Sequence, residues 1–154
     1  MKYTCIVEIS LPITEVVELW SNKDYFSRWQ DGFDNIEHIA GTPNTEGSKS
    51  KITFNGKQKI ELVETIISSR LPEEKVALYE HKHMINTQTS RFQEIEPTKT
   101  LYTSEVEYIK FNGFMIKLMA VLFPDKFKGQ SQKWMNQFKE FAESTKTKLD
   151  CSAI

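Results

Sequence analysis

Few residues in this chain are equipped for chemistry, and their spacing limits what that chemistry could be. Glu64 lies in the run Ile60, Leu62, Glu64, Ile66, where period-two alternation would place it on a semi-buried strand face. A carboxylate taken out of water holds its proton more tightly and can serve as an acid or a base. The opposite register turns Glu61, Val63, Thr65 and Ile67 inward and leaves Glu64 in solvent. Tyr102 and Tyr108 are two further titratable groups on a candidate inner face. His81 and His83 are two apart and would share a strand face, as paired metal ligands do in some sites. They fall at a hairpin turn with no third ligand suitably placed, so they read as surface histidines, and no metal is assigned. His38 is a lone strand histidine. Cys5 and Cys151 stand at opposite ends without metal-like spacing and read as free thiols; Cys5 has no neighbouring base to activate it. With no nucleophile and base pair and no phosphate loop, no catalytic residue and no cofactor is assigned.

The 154 residues suit one domain with a single core, taken as residues 1–148 with a polar tail at 149–154. A net charge of −1 with 27% charged residues offers no general electrostatic drive towards nucleic acid or anionic lipid. Lysines cluster at Lys49, Lys51, Lys57 and Lys59 and again at Lys126, Lys128 and Lys133, but acids are interspersed, and both clusters read as solvated faces. The N-terminus lacks the apolar run of a secretory signal, and residues 114–123 are too few to span a bilayer. The expectation is a cytoplasmic protein with no nucleic-acid partner and no membrane insertion, of open oligomeric state.

The elements that must position these residues follow from periodicity. Tyr3, Cys5, Val7 and Ile9 alternate with residues of the other face, which predicts a strand ended by Ser10-Leu11-Pro12. Pro12 then opens a short helix with the stripe Ile13, Val16, Val17, Trp20, and residues 24–29 make a second helical turn. Gln30-Asp31-Gly32 is turn chemistry, and the aromatics around it plug one end of the fold. Strands follow at residues 34–40, 48–54, 57–68, 76–81, 85–95 and 100–109, with a type I′ turn expected at Asn55-Gly56. The remainder is helical: Phe127, Trp134, Phe138, Phe141 and Ala142 keep helical spacing, with a break expected at Pro124. The fold class is α+β. One long helix cannot cover six or seven flat strands, so the sheet should curl around it and leave a cavity.

That order, with particular residues, resembles the helix-grip fold of the START-like superfamily, called SRPBCC, and its polyketide cyclase/dehydrase-like branch. The stretch ISLPITEVVELWSNKDYFSRW looks like the family's opening, RFQEIEPTKTLYTSEVEY is similar to its last hairpin, and GFMIKLMAVLFPDKFKGQSQKWMNQFKEFAE to its closing helix. The match spans nearly the whole chain, and none of these stretches is a catalytic motif. The resemblance implies a cavity between helix and sheet that takes lipids, sterols, polyketides or other hydrophobic molecules.

Within the last two strands, the even-numbered face is the one fit for burial: Asn86, Gln88, Ser90, Phe92, Tyr102, Ser104, Val106 and Tyr108. The odd face, with Thr87, Thr89, Arg91, Gln93, Glu105 and Glu107, is too polar. Phe127, Gln130, Ser131, Trp134 and Phe138 are expected to reach the same space from the helix, with Phe127, Ser131 and Trp134 nearest the mouth. Phe138, Phe141 and Ala142 read as core. Met115, Leu118, Met119 and Leu122 read as ordinary packing against the sheet rim, or else as an adaptable lid. Aromatic walls with scattered amides and hydroxyls suit a mostly apolar ligand with a few oxygens. The expectation is a protein that binds or carries a small hydrophobic, lipid-like or polyketide-like ligand. The alternative is a cyclase, aromatase or dehydratase working in the same cavity; a protein-interaction role fits less well.

Overall fold

The computed structural model describes residues 1–152, with side chains as far as Lys146. Strands β1 (Lys2–Ile9), β2 (Phe33–Ala40), β3 (Lys49–Asn55), β4 (Lys59–Arg70), β5 (Glu74–His81), β6 (Met84–Glu96) and β7 (Lys99–Phe111) form one antiparallel sheet. Their order is β1-β7-β6-β5-β4-β3-β2. Between β1 and β2 lie α1 (Ile13–Ser21), one 3₁₀ turn (Lys23–Tyr25) and α2 (Phe26–Trp29); after β7 come α3 (Phe114–Leu122) and α4 (Pro124–Ser152). The helix break falls at Pro124, where the missing N–H costs nothing at the first helical position. The tail expected from residue 149 lies outside the residues whose side chains are described, as does Cys151.

The sheet curls around α4. In β1, Cys5 and Ile9 are buried to 1% and 0% exposure, and α4 turns Met135, Phe138 and Ala142 onto them as one stripe. The same helix stacks Trp134 on Phe54 of β3, with ring centroids 5.5 Å apart. Four strands separate β1 from β3. In a flat sheet they would be about 24 Å apart, more than twice the width of a helix. Only a bent sheet brings both to one helix.

β1 is an edge strand, and its unpaired backbone groups are a liability unless covered. The side chains of α4 cover them: Gln132 Nε2 donates to the Ile6 carbonyl at 3.1 Å, Lys139 Nζ to the Glu8 carbonyl, and the Ser10 N–H donates to Glu143 at 2.9 Å. The other edge, β2, is blunted by register shifts between Phe33 and Asn35 and between His38 and Ala40. The expected aromatic plug is present, with Trp29 against Phe138 at 5.2 Å and Phe26 against Trp29 and Phe33.

One local expectation fails. Asn55 pairs with Lys59, so the β3–β4 loop has three residues, and neither Asn55 nor Gly56 takes positive φ. A type I′ turn needs a two-residue loop, which this register does not leave. Gly32 is where φ is positive, at 75°, and a Cβ there would sit 2.8 Å from the Asn55 carbonyl oxygen.

Phe138 is wholly buried between Trp29 and Tyr102. Phe138→Ala should lower unfolding free energy by about 3–5 kcal/mol in urea titration. A loss below about 1 kcal/mol would contradict its place at the centre of the core.

Candidate functional site

Register decides which side chains share the concave face. Cys5 and Val7 stand opposite Ser104 and Tyr102, which stand opposite Ser90 and Phe92. Gln88 and Asn86 stand opposite Ala77 and Tyr79, and Tyr79 opposite Glu64. Since α4 lies on Cys5 and Val7, the even-numbered residues of β6 and β7 all look towards the helix. Ser90, Phe92, Tyr102, Ser104 and Val106 are closed over, none more than 4% exposed. Trp20 of α1 does much of this: its ring meets Phe92 at 5.1 Å and its Nε1 donates to the Tyr102 hydroxyl at 3.1 Å.

Asn86, Gln88, Tyr108 and Tyr79 occupy the same face and yet stay half-buried. The facing wall is α4. Phe127 packs edge-on against Tyr108 at 5.3 Å, Ser131 Oγ shares a 2.8 Å hydrogen bond with Tyr3, and Trp134 stacks on Phe54. Gln130, expected beside them, is exposed instead, because it falls outside the stripe that includes Phe127, Ser131 and Trp134. The inner face between α4 and strands β5 and β6 is thus only partly covered, and this strip is the candidate groove. Its mouth is uncovered: Met115, Leu118, Met119 and Leu122 of α3 are 38–68% exposed, so they are not packed against the sheet rim. Two other recesses, of about 390 and 370 Å³, open beside Trp29 and Gln137 and beside Lys59 and His81, away from this groove.

Of the two registers open to Glu64, the structure takes the inward one, and Glu64 is 9% exposed. The Tyr79 hydroxyl donates to Glu64 Oε2 at 2.7 Å, and Lys75 Nζ lies 3.7 Å from the same oxygen. Lys75 also sits 5.7 Å from the Trp20 ring centroid, where the π-face attracts its charge. Sequence reasoning did not single out Lys75 or Tyr79. The signal was available for Tyr79: once Glu64 faces inward, its cross-strand partner must as well. A lysine on a strand reads as solvated, and Lys75 departs from that because a carboxylate and an indole await it.

Burial lifts the tyrosines of this region. Tyr79 is pushed well above the ordinary phenol range by desolvation first and by the Glu64 carboxylate second. Tyr102 and Tyr3 rise mainly by burial, and Tyr108 by burial and then by Tyr3. His81 and His83 face each other at the β5–β6 turn, 5.4 Å between centroids, and burial followed by the neighbouring ring holds His81 below its usual value. Among the described residues no three potential ligands converge as a metal site would require. Cys5 is buried, its thiol raised chiefly by desolvation.

Solved structures reproduce this arrangement from end to end. TTHA0849 from Thermus thermophilus superposes with a TM-score of 0.76 at 12% identity, over 94% of this chain and 99% of that one. The chain has the helix-grip fold. A conserved protein from Geobacillus kaustophilus superposes at a TM-score of 0.74 and 12% identity, covering 94% and 97% of the two chains. The Zhui aromatase/cyclase from Streptomyces sp. R1128 does so at 0.72 and 11%, covering 93% of each. At these identities the likeness is one of fold. No family model and no curated protein matches the chain.

The raised phenols give a pH prediction. A group whose folded pKa lies above its unfolded value contributes stability that is complete below about pH 10 and is lost as pH rises through the folded value. Alkaline titration should show Tyr3, Tyr79, Tyr102 and Tyr108 ionising together with unfolding above the ordinary phenol range. Tyr79→Phe should remove one phenolate from that cooperative step; smooth ionisation of these tyrosines near pH 10 in a folded protein would contradict the burial described.

Proposed function

We propose that the protein binds, and carries, a small hydrophobic molecule in the groove between α4 and the sheet. One observation carries the reading: Asn86 and Gln88 lie on the face gripped by α4 and are only partly buried, with Tyr79 and Tyr108 beside them. A packed interior leaves few voids larger than water, so partly covered amides on an inner face mark room for an occupant. Phe127, Tyr108 and the Trp134–Phe54 stack supply aromatic contact, while Asn86 and Gln88 supply a few directional polar groups. Ser90, Phe92, Tyr102, Ser104 and Val106, closed over on the same face, pack beside the groove and support its shape. The groove suits a lipid-like or polyketide-like molecule, apolar along most of its length with a small number of oxygens.

A second reading, a cyclase, aromatase or dehydratase, is favoured by the Glu64, Lys75 and Tyr79 cluster. A carboxylate held beside an ammonium in a partly dehydrated site is equipped for proton abstraction next to a carbonyl. The carboxylate takes the proton, and the ammonium stabilises the charge that develops on oxygen. Two structures that superpose on this chain are named for aromatase/cyclase activity, which supports this reading by analogy of fold.

A fluorescent fatty acid or flat aromatic probe should be taken up by the purified protein. Gln88→Trp, filling the groove, should weaken uptake at least about tenfold with thermal stability nearly unchanged. Uptake unaffected by that replacement would remove the groove as the site. Glu64→Gln separates the two readings: with turnover of a polyketone substrate in hand, it should abolish turnover and leave probe uptake within about threefold.

A further inference from the structure

We propose that α3 docks the protein on an anionic lipid surface. The helix is apolar on every side except at Lys117, and only one side of it is covered. Phe114, Met115, Val121 and Leu122 recur at i, i+1, i+7 and i+8 and are 76%, 68%, 77% and 58% exposed, so its apolar stripe faces water. The opposite side holds Ala120, 8% exposed, and the half-buried Ile116, one turn apart. Contiguous apolar surface of this kind on a folded protein marks a contact site.

Charge selects the occupant. Across residues 108–129 there are four lysines, Lys110, Lys117, Lys126 and Lys128, and a single acid, Asp125, in a chain whose net charge is −1. All four lysines are exposed, and none forms an ion pair among the described residues. Lys126 Nζ lies 4.8 Å from the Phe123 ring centroid, at the end of the apolar stripe. Asn112, just ahead of α3, donates to the backbone carbonyls of Lys82 and His83, which holds the β5–β6 turn and Lys82 alongside. An apolar stripe ringed by lysines is the pattern of helices that lie in the interface of an acidic bilayer.

A second copy of the chain fits less well. Face-to-face pairing through α3 would bring the same lysines together. A helix of nine residues, about 14 Å long, cannot by itself approach the roughly 800 Å² per partner of a stable interface. Nor does the stripe face the protein's own groove, since Ile116 and Ala120 already occupy the inward side. Docked as proposed, α3 sets the groove mouth, where Phe127 meets Phe111 and Tyr108, against the lipid. The proposal does not require the groove to bind anything, so the two readings fail separately.

The test is sedimentation of the full chain with vesicles of phosphatidylcholine alone or with phosphatidylglycerol added. The protein should pellet with the acidic vesicles, far less with the neutral ones, and less as salt rises. The double substitution Phe114→Glu with Val121→Glu, at exposed positions, should abolish pelleting with an unchanged circular dichroism spectrum. Lys117→Gln should weaken it about fivefold, the share of one lysine near an acidic surface. Absence of pelleting with acidic vesicles, pelleting that survives the double substitution, or a lipid-free dimer dissolved by it would each overturn the proposal.

Discussion

The seam between α4 and β1 is the constraint on which the remaining architecture depends. An edge strand carries a row of backbone groups that must find partners, and α4 supplies them from Gln132, Lys139 and Glu143 while pressing Met135, Phe138 and Ala142 onto Cys5, Val7 and Ile9. Backbone polar groups left bare at an edge invite pairing with another chain, so this lacing also closes the sheet on that side. Its geometric effect matters most. With α4 fixed over the edge of the sheet and α1 over part of β6 and β7, the curl of the sheet brings β3 back to α4 through Phe54 and Trp134.

The concave face is divided by what lies above it. Where α1 lays Trp20 over Phe92 and Tyr102, the interior is packed and dry, and even Ser90 and Ser104 are buried. Beyond the reach of Trp20 and Phe138 the cover is less complete, and Asn86 and Gln88 are only partly buried. At the boundary between the two regions sit Glu64 and Lys75. Isolating either charge there would be costly, and the shared arrangement with Tyr79 and the Trp20 face offsets much of that cost. At 3.7 Å the ammonium and carboxylate are in charge contact but beyond hydrogen-bond length.

Net charge says nothing of how charge is distributed over the surface. The value of −1 averages over a chain whose end around α3 is locally basic and strongly apolar. Electrostatic attraction at a surface acts over about one Debye length, so a local excess of lysine counts even when the total is near zero. No described helix is long and apolar enough to cross a membrane, and the docking proposed for α3 is in the interfacial plane.

Much of the fold was legible in the residues themselves. Alternation in Tyr3, Cys5, Val7 and Ile9, helical spacing from Phe127 to Ala142, and the break at Pro124 each follow from local stereochemistry, and the structure has them where they were expected. The inward face of β6 and β7 was also readable, because Arg91, Glu105 and Glu107 forbid the alternative. Three features were decided only in three dimensions. The direction of Glu64 depended on pairing with β5, since either register of β4 alternates equally well. The Asn55-Gly56 turn depended on the Asn55–Lys59 pairing rather than on the preference of the dipeptide. The fate of α3 depended on where α4 leaves the sheet. Periodicity specifies which side chains share a face, since that is fixed by the backbone repeat; what the face meets is a contact between distant segments, and only the folded chain supplies it.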